Sequence, residues 1–403
     1  MIVKLLFWIF FFILFYAYVG YPLILYIIIR IKRLFHKETG NKEPGFEPDV
    51  CLFVTAYNEK DFIFQKVENS FLLDYPREKV QYLWVTDGSD DGTPDILRNV
   101  PELEVHHQPE RRGKMNAMNR GMKFVQASIV IFSDTNTRLN KNAVREIVSS
   151  FSNPEIGCVA GEKRIVENVA DDAAAAGEGL YWRFESWVKK LDAELNSAVG
   201  AVGELFAIRK ELFEEVETDT ILDDFIISLR IAQKGYKIAY TPNAYAEETA
   251  SLNVKEELKR KIRIAAGGMQ TLFRLKSLLN PFKYGLLSWQ YASHKVLRWT
   301  LAPISLFLLI LINGIIVWQT GFFSSPLFYS LFFLFQLFGY LLTLIGWYLE
   351  NQKLRFKLLF VPYYFVSIHY AAIRGIIRYF GGKQPASWEK SKRAASAESG
   401  HTI

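Results

Sequence analysis

Two long stretches without a charged residue most constrain what this chain of 403 residues can fold into. Residues 5–29 contain no Asp, Glu, Lys or Arg, and neither do residues 299–349. About 20 apolar helical residues cross the hydrocarbon core of a bilayer, so the first stretch is long enough for one span and the second for two. The first is longer than the apolar part of a signal peptide and no small-residue cleavage site follows it. We therefore expect a membrane protein with an N-terminal anchor.

The basic residues support this interpretation. The net charge is +6, and the positive side chains cluster next to the apolar stretches, at residues 30–37 and 255–276. This is the positive-inside pattern of membrane proteins, and it places the segment after the anchor in the cytosol rather than indicating a nucleic-acid partner. Both cysteines, Cys51 and Cys158, lie in apolar strand-like runs. A disulfide framework is therefore not expected, and a cytosolic domain is favoured.

Between the apolar stretches, short apolar runs alternate with helical patterns. The runs at residues 50–55, 80–86 and 129–133 are rich in β-branched and aromatic residues and predict strands, with a weaker strand at residues 103–107. Unbroken apolar runs of this length are typical of strands buried on both faces. Strands that alternate with helices predict βαβ units and a mostly parallel sheet.

Several of these strands are followed by acidic or amide side chains. The loop at residues 87–93 is rich in Asp, Gly and Ser, and Asp134 and Asn136 follow the strand at 129–133. In open α/β sheets, ligands bind beyond the carboxyl ends of the strands, where these two side chains could hold a hard cation on a diphosphate. An ordinary turn is the alternative, because the same residue types form turns. Since the glycine spacing of a Rossmann or P-loop motif is absent, a metal and basic side chains would have to neutralise the phosphates.

The second half of the soluble segment carries three further features, and the first two of them have two possible interpretations each. The aromatic cluster within residues 181–187 predicts core packing or a sugar-stacking surface. The adjacent Asp223 and Asp224 start a helix, where they either stabilise its first turn or supply a general base. The basic segment from residue 254 predicts an interfacial helix that faces anionic lipid headgroups, although this leaves the spacing of Arg260 and Arg263 unexplained.

The C-terminal part is predicted to hold a hairpin of two spans, at residues 299–318 and 327–349. The last apolar run, residues 358–373, is shorter than a span, and a full span would put the basic tail outside, against the positive-inside bias. We interpret it as a re-entrant or interfacial segment with a cytosolic tail. The predicted segments are an N-terminal transmembrane helix (1–33), a linker (34–48), a catalytic domain (49–250), amphipathic interfacial helices (251–296), a transmembrane helix pair (297–350), a third membrane or re-entrant segment (351–383) and a basic tail (384–403).

As an ordered set, the motifs resemble those of a membrane-integrated family 2 glycosyltransferase of the polysaccharide-synthase-like branch. The matching runs fall in the family's order between residues 50 and 264, and they are residues 54–59, 87–93, 113–114, 134–136, 203–204 and 223–224. The resemblance implies an α/β GT-A-like domain, with a mostly parallel mixed sheet and helices on both faces, plus transmembrane α-helices. It places this domain at the cytosolic face of the plasma membrane.

The resemblance also implies a role for each matched position. The residues that would contact the nucleoside are Ala56, Tyr57, Glu59 and Asp87, with Lys114 close by. Asp134 and Asn136 would hold Mg²⁺ or Mn²⁺, Gly203 and Glu204 would line the acceptor site, and Asp224 would be the catalytic base. Arg260 and Arg263 lie where the family's Gln-x-x-Arg-Trp motif contacts the pyrophosphate. Two departures stand out. Asn136 replaces the usual Asp and brings less charge to a metal, while Arg260 and Ile264 replace the Gln and Trp of the motif, which puts processive elongation in doubt.

The implied activity is inverting transfer of a hexosyl or N-acetylhexosaminyl group from a nucleotide sugar, most often a UDP-sugar, to a growing cell-surface polysaccharide. The alternative is non-processive transfer to a polyprenyl phosphate or a lipid-linked oligosaccharide, which Ile264 favours. The expected partners are the donor, a glycan or lipid-linked acceptor and membrane lipid, with export or regulatory subunits as further candidates. A non-catalytic scaffold is disfavoured because Asp87, Asp134 and Asp224 are all present. A channel is disfavoured because the two C-terminal spans carry no charged side chain.

Overall fold

A computed structural model describes residues 1–35, 45–166, 173–249, 254–324, 326–351 and 357–382 of the chain. Its centre is an eight-stranded sheet with the strand order β3-β2-β1-β4-β7-β6-β8-β5. The strands are β1 (Val50–Ala56), β2 (Val80–Asp87), β3 (Leu103–Gln108), β4 (Ile129–Asp134), β5 (Arg138–Leu139), β6 (Ile156–Val166), β7 (Leu205–Arg209) and β8 (Lys237–Thr249).

The first half of the sheet follows the prediction. Strands β3, β2, β1 and β4 are parallel neighbours, whereas β7 runs antiparallel to both β4 and β6. Strand β8 pairs with β6 in parallel, and the register of this pair shifts between Ala160 and Glu162 of β6. Alternate residues of the sheet feed two separate cores, with Phe53 in one and Val54 in the other. The sheet is therefore mixed and covered on both faces, which confirms the predicted α/β architecture.

The helices of the soluble part connect and cover these strands. They are α3 (Lys60–Phe71), α4 (Thr93–Arg98), α5 (Lys114–Gly121), α6 (Ala143–Ser150), α7 (Ala173–Leu195), α8 (Asp223–Gln233) and α9 (Val254–Arg274). Helix α5 has only eight residues: Gly113 precedes it with a φ of 94°, and its last residue is Gly121. Helices α5 and α8 both begin at the edge of the sheet where β1, β2 and β4 end.

Within the part of the chain that the structure describes, three helical segments are long and apolar enough to cross a membrane, as predicted. The first comprises α1 (Ile2–Phe15), a π-helical turn (Tyr16–Gly20) and α2 (Tyr21–Phe35), which form one continuous helix. After the short helices α10 (Pro281–Tyr284), α11 (Leu286–Tyr291) and α12 (Leu297–Trp299), the other two are α13 (Leu301–Thr320) and α14 (Leu327–Asn351). Helix α1 packs along α13.

The last apolar run belongs to a longer helix than expected, α15 (Lys357–Phe380), which has 24 residues and packs against α9, α14 and α7. It extends beyond the apolar run because its C-terminal turns are stabilised by packing, for example of Gly375 against Ala265. Its assignment as a re-entrant or interfacial segment stays a prediction. Residues 36–44 of the predicted linker and the whole predicted tail at 384–403 lie outside the described residues.

The soluble part and the membrane helices share a core. Tyr21 and Leu25 of α2 pack with Val188 and Leu191 of α7. A buried polar group secures the same contact, because Asp192 of α7 accepts hydrogen bonds from the Tyr21 hydroxyl and the Gln290 amide and is hydrogen-bonded to His294 at 2.5 Å. Removing one partner of such a network would leave a buried carboxylate unpaired, which is energetically costly. The network therefore holds the soluble domain against the membrane helices.

Candidate active site

A cavity of about 1010 Å³ opens at the edge of the sheet where the parallel strands end. A smaller cleft adjoins it and shares Glu59, Lys114, Asp134 and Asn136 as lining residues. The large cavity is also lined by Gly203, Glu204, Asp224, Arg260 and Arg263, and the cleft by Ala56, Tyr57 and Asp87. Every site residue expected from the sequence therefore lines one of two adjoining cavities.

The cleft is shaped by Asp87 at the end of β2. Its carboxylate accepts hydrogen bonds from the backbone N–H groups of Arg112, at 3.1 Å, and Gly113, at 2.6 Å. This holds the basic turn so that the guanidinium of Arg111 lies 3.9 Å from the centroid of the Tyr57 ring. The close approach requires glycine at position 88, where φ is 71° and a Cβ would lie 2.7 Å from the Arg111 backbone nitrogen. The cleft thus presents an aromatic ring and a planar cation.

Lys114, in the first turn of α5, bridges two carboxylates between the cleft and the cavity. Its Nζ lies 2.9 Å from Asp134 Oδ1 and 3.0 Å from Asp223 Oδ2. Burial disfavours the charge on Lys114, but the two carboxylates outweigh this effect and raise its pKa. Burial raises the pKa of Asp134, against the opposing attraction of Lys114. The sequence placed Lys114 near the nucleoside, and the structure adds that it pairs with both acidic positions.

Asp134 and Asn136 lie on a turn that is anchored from below by Lys66. The buried Lys66 ammonium donates to Ser133 Oγ at 2.6 Å and to the Thr137 carbonyl at 2.9 Å. Burial lowers the pKa of Lys66 to about 7. The turn is therefore held on both sides of the two predicted metal ligands.

The oxygen atoms of this turn fit a hard cation that takes most of its ligands from a substrate. The Asn136 amide N–H₂ donates to Glu248 at 3.1 Å, and among the described residues no donor contacts its amide oxygen. The described residues contain no group of three or more His, Cys, Asp or Glu side chains arranged to hold a metal. One carboxylate and one amide oxygen suit Mg²⁺ or Mn²⁺, which commonly bind through one or two protein oxygens together with phosphates and water. The two predicted ligands are thus brought together.

A second charged network, which the sequence did not reveal, includes Glu204, one of the two predicted acceptor-site residues. Lys163 of β6 is 2% exposed and forms ion pairs with both Glu204 and Glu248. Although burial opposes ionisation of Glu204, the attraction of Lys163 lowers the pKa of this carboxyl to about 2. The sequence feature that could have indicated this network is a lysine at an inward-facing strand position, because a buried lysine needs a buried partner of opposite charge. Glu204 is therefore held as a carboxylate by a cation below it.

Asp224 starts α8 and lies at the wall of the large cavity. Burial and the neighbouring Asp223 carboxylate raise the pKa of Asp224 to about 7. Gly203 lies opposite, and a Cβ at that position would be 3.6 Å from Asp224 Oδ2. The absence of a side chain at position 203 leaves room for a substrate group next to this carboxylate. A carboxylate with a pKa near neutrality is suited to act as a general base.

The basic helix α9 directs several of its cations into the cavity. Arg260 pairs with Glu257 through hydrogen bonds of 2.8 and 2.9 Å, and Arg263 donates to the Ile221 carbonyl at 3.2 Å. Lys261 lies 4.1 Å from the centroid of the Tyr181 ring. These three basic residues line the cavity, so the prediction that the basic face of this helix points to lipid headgroups does not describe them.

The far end of the cavity reaches the membrane helices. Tyr18, Pro303 and His369 line it there. The predicted aromatic cluster divides at this end, because Tyr181 and Trp182 line the cavity whereas the Trp187 side chain is exposed. The two adjoining cavities thus place a basic cleft, the turn of Asp134 and Asn136, and the predicted general base Asp224 next to apolar helices. This arrangement suits displacement of a diphosphate leaving group by a hydroxyl that approaches from the membrane side.

Comparison with known proteins points to one enzyme family. Residues 51–217 match the family model described as Glycosyl transferase family 2. The chain is 28% identical over 249 residues to the poly-beta-1,6-N-acetyl-D-glucosamine synthase of Staphylococcus aureus strain MSSA476, covering 58% of this chain and 59% of that protein. It is 25% identical over 240 residues to the enzyme of the same name from Staphylococcus epidermidis strain ATCC 35984, covering 56% of each chain. The aligned part is therefore less than two thirds of these relatives.

A solved structure shows the same fold over nearly the whole chain. The mannosyltransferase of Pyrobaculum calidifontis in complex with GDP-Man and Mn²⁺ superimposes with a TM-score of 0.69. The match covers 94% of this chain and all of the other, at 22% sequence identity. The membrane helices and the sheet are thus arranged in a way already seen in a glycosyltransferase.

Proposed function

We propose, from the premise that this chain carries a family 2 glycosyltransferase domain of GT-A fold joined to membrane helices, that it extends a cell-surface polysaccharide at the cytosolic membrane face. One observation carries the proposal: Asp224, whose pKa is raised to about 7, lines the same cavity as Asp134 and Asn136. Sugar transfer from a nucleotide requires a base for the acceptor hydroxyl and a cation for the leaving diphosphate. Asp224 would be the base, and the turn of Asp134 and Asn136 would hold the cation at the same cavity.

The proposed donor is a UDP-sugar, and UDP-N-acetylglucosamine is the first candidate. The Staphylococcus relatives are named for a polymer of N-acetyl-D-glucosamine. The uracil base would lie in the cleft beside Tyr57 and Arg111, where a ring and a guanidinium lie 3.9 Å apart. Asp87 would either contact the uracil base directly or order the turn beside it, since its carboxylate already binds the backbone N–H groups of Arg112 and Gly113.

In the proposed reaction, Asp224 accepts the proton of an acceptor hydroxyl as that oxygen attacks the anomeric carbon. The bond from this carbon to the diphosphate oxygen breaks on the opposite face, so the configuration inverts. Arg260 and Arg263, which line the cavity, would meet the charge that develops on the departing diphosphate. A Mg²⁺ or Mn²⁺ ion held by Asp134 and Asn136 would supply further charge neutralisation there. General-base assistance of this kind typically contributes about 10² to 10⁴ in rate.

The acceptor would approach from the membrane-side end of the cavity. Gly203 keeps the face of Asp224 open, and Tyr181 and Trp182 provide rings on which a sugar can stack. One observation favours the second candidate function, transfer to a polyprenyl phosphate or lipid-linked oligosaccharide without elongation. The cavity is lined by Tyr18 and Pro303 of the membrane helices and by His369 of α15, where a lipid chain could lie.

The decisive experiment is a donor panel assayed with the purified full chain in lipid. UDP- and GDP-sugars are incubated with and without Mn²⁺, and nucleotide release and radiolabelled product are measured. We expect release from one UDP-sugar only when the metal is present. A high-mass, detergent-insoluble product supports polysaccharide extension, whereas an organic-extractable product supports the lipid acceptor. Absence of transfer from every donor tested would contradict the proposed activity.

A further inference from the structure

Lys189 is a buried cation on the wall of the large cavity that the proposed reaction does not use. It lies on α7, and its side chain is only 5% exposed. Among the described residues, no hydrogen bond or ion pair contacts its ammonium, and its one close polarisable neighbour is the Tyr240 ring, with the centroid 5.6 Å away. Burying a charged ammonium without a partner is costly, so a site of this kind calls for an anion.

The protein's own carboxylates near Lys189 are committed to other donors. Glu185, one turn earlier on α7, is paired with Lys295, His294 and Arg298. Glu162 accepts hydrogen bonds from Ser186 and from the Tyr240 hydroxyl. Burial lowers the pKa of Lys189 and the nearby Lys295 adds to this effect, against the attraction of Glu185 and Glu162. The neighbouring carboxylates thus leave this cation under-compensated.

The position of Lys189 separates it from the donor cleft. It lines the large cavity but not the cleft formed by Tyr57 and Asp87, and the carboxylate of Asp224 is among the charges that act on it. The wall of the large cavity also includes Trp299 and Pro303, which belong to α12 and α13. A ligand that suits this end has an anionic group near the base and an apolar part toward the membrane helices.

We propose that Lys189 binds the phosphate group of a lipid-linked acceptor and thereby selects a phosphorylated lipid as the membrane-side substrate. The ammonium donates to the phosphate oxygens, while the lipid chain extends past Trp299 toward Pro303. This assignment rests on the second candidate function given above, transfer to a lipid-linked acceptor that enters from the membrane side. The proposal adds a specificity-determining residue that lies outside the motifs identified in the sequence.

The test is a binding experiment that does not depend on turnover. The full chain is placed in nanodiscs of phosphatidylcholine, and binding of radiolabelled undecaprenyl phosphate is compared with binding of undecaprenol, which lacks only the phosphate. The variants are Lys189→Met, which removes the charge at similar volume, and Lys189→Arg, which keeps it. Lys190→Met is the matched control, because Lys190 is the exposed neighbour on the same helix.

We expect the wild type, Lys190→Met and Lys189→Arg to prefer the phosphorylated lipid about tenfold, as one charge-assisted hydrogen bond would give, and Lys189→Met to lose this preference. Equal binding of both lipids by the wild type, or an unchanged preference in Lys189→Met, would overturn the proposal. UDP binding serves as the second arm and should be unchanged in Lys189→Met. A loss of UDP affinity there would assign the cation to the donor diphosphate instead. If these lipids bind as expected but no donor is turned over, only the proposed catalytic function fails.

Discussion

The ammonium of Lys114 lies 2.9 Å from the carboxylate of Asp134, and this ion pair joins the start of α5 to the end of β4. Because Lys114 also contacts Asp223 at 3.0 Å, one cation holds the predicted metal ligand next to the helix that carries Asp224. One side chain would thus position both the proposed metal ligand and the proposed base. The consequences can be tested at each of these residues.

The first prediction concerns the metal. Chelation with EDTA should abolish transfer by the wild type, and added Mn²⁺ or Mg²⁺ should restore it. Asp134 is anionic and Asn136 is neutral, so the metal that they would hold has to supply the positive charge that stabilises a leaving diphosphate. Asp134→Ala should remain inactive at all metal concentrations. Asp95→Ala, at a carboxylate that is 79% exposed, should behave as the wild type. Full activity in EDTA would contradict a metal-assisted reaction.

Asp224→Asn should reduce transfer by about 10² or more, because the amide cannot accept the acceptor proton. Donor binding, measured by calorimetry with UDP, should stay close to that of the wild type, since Asp224 lies outside the cleft that holds Tyr57 and Asp87. Asp95→Asn provides the same chemical change at an exposed position. Turnover near the wild-type rate in Asp224→Asn would assign the base elsewhere.

The pH dependence of kcat/KM should report the raised pKa of Asp224. The base acts when deprotonated, so activity should rise as the pH increases toward about 7 and level off above it. Asp223→Asn removes a negative charge that raises this pKa, so the midpoint of the profile should move to lower pH. Asp219→Asn, at a carboxylate that is 68% exposed and bound to Arg274, should leave the midpoint in place. A shift to higher pH in Asp223→Asn would exclude this electrostatic account.

Gly203→Val should block the acceptor rather than the donor. A Cβ at position 203 lies 3.6 Å from Asp224 Oδ2, so the larger side chain would occupy the space beside the base. We expect transfer to fall by about tenfold or more while UDP binding and slow hydrolysis of the donor persist. Gly339→Val adds the same atoms at a position where no other described residue, apart from the helix's own backbone, has a heavy atom within 4 Å of the added Cβ, and it should have little effect. Equal losses of UDP binding and transfer in Gly203→Val would indicate a general disruption of the site.

Much of the site could be predicted from the sequence because it depends on local patterns. Apolar runs identified β1, β2 and β4, and parallel strands place their carboxyl ends at one edge, so Asp87 and Asp134 had to lie near each other. The charge-free stretches likewise identified the N-terminal anchor and the C-terminal hairpin. These features follow from neighbours in the chain and from one rule of sheet topology.

Other parts of the site depend on contacts between distant segments. Lys163 pairs with Glu204 and Glu248 only because β6 and β8 run parallel with a shifted register. Lys189 and the adjacent Lys190 look alike in sequence, yet one faces the cavity and the other is exposed. A helical pattern does not fix which charged residue is turned inward when the helix packs on several elements at once.

The sequence by itself thus determined the order of strands and helices along the chain, the membrane spans and the acidic residues at the strand ends, since hydrophobic periodicity and charge act over a few residues. Tertiary structure decided which cations meet which carboxylates, and how far the cavity extends between the membrane helices. Those properties arise from packing and register across more than a hundred residues of chain, as with His294 and Asp192. Electrostatic pairing inside a low-dielectric core is decided by distances of a few ångströms, which only the folded chain sets.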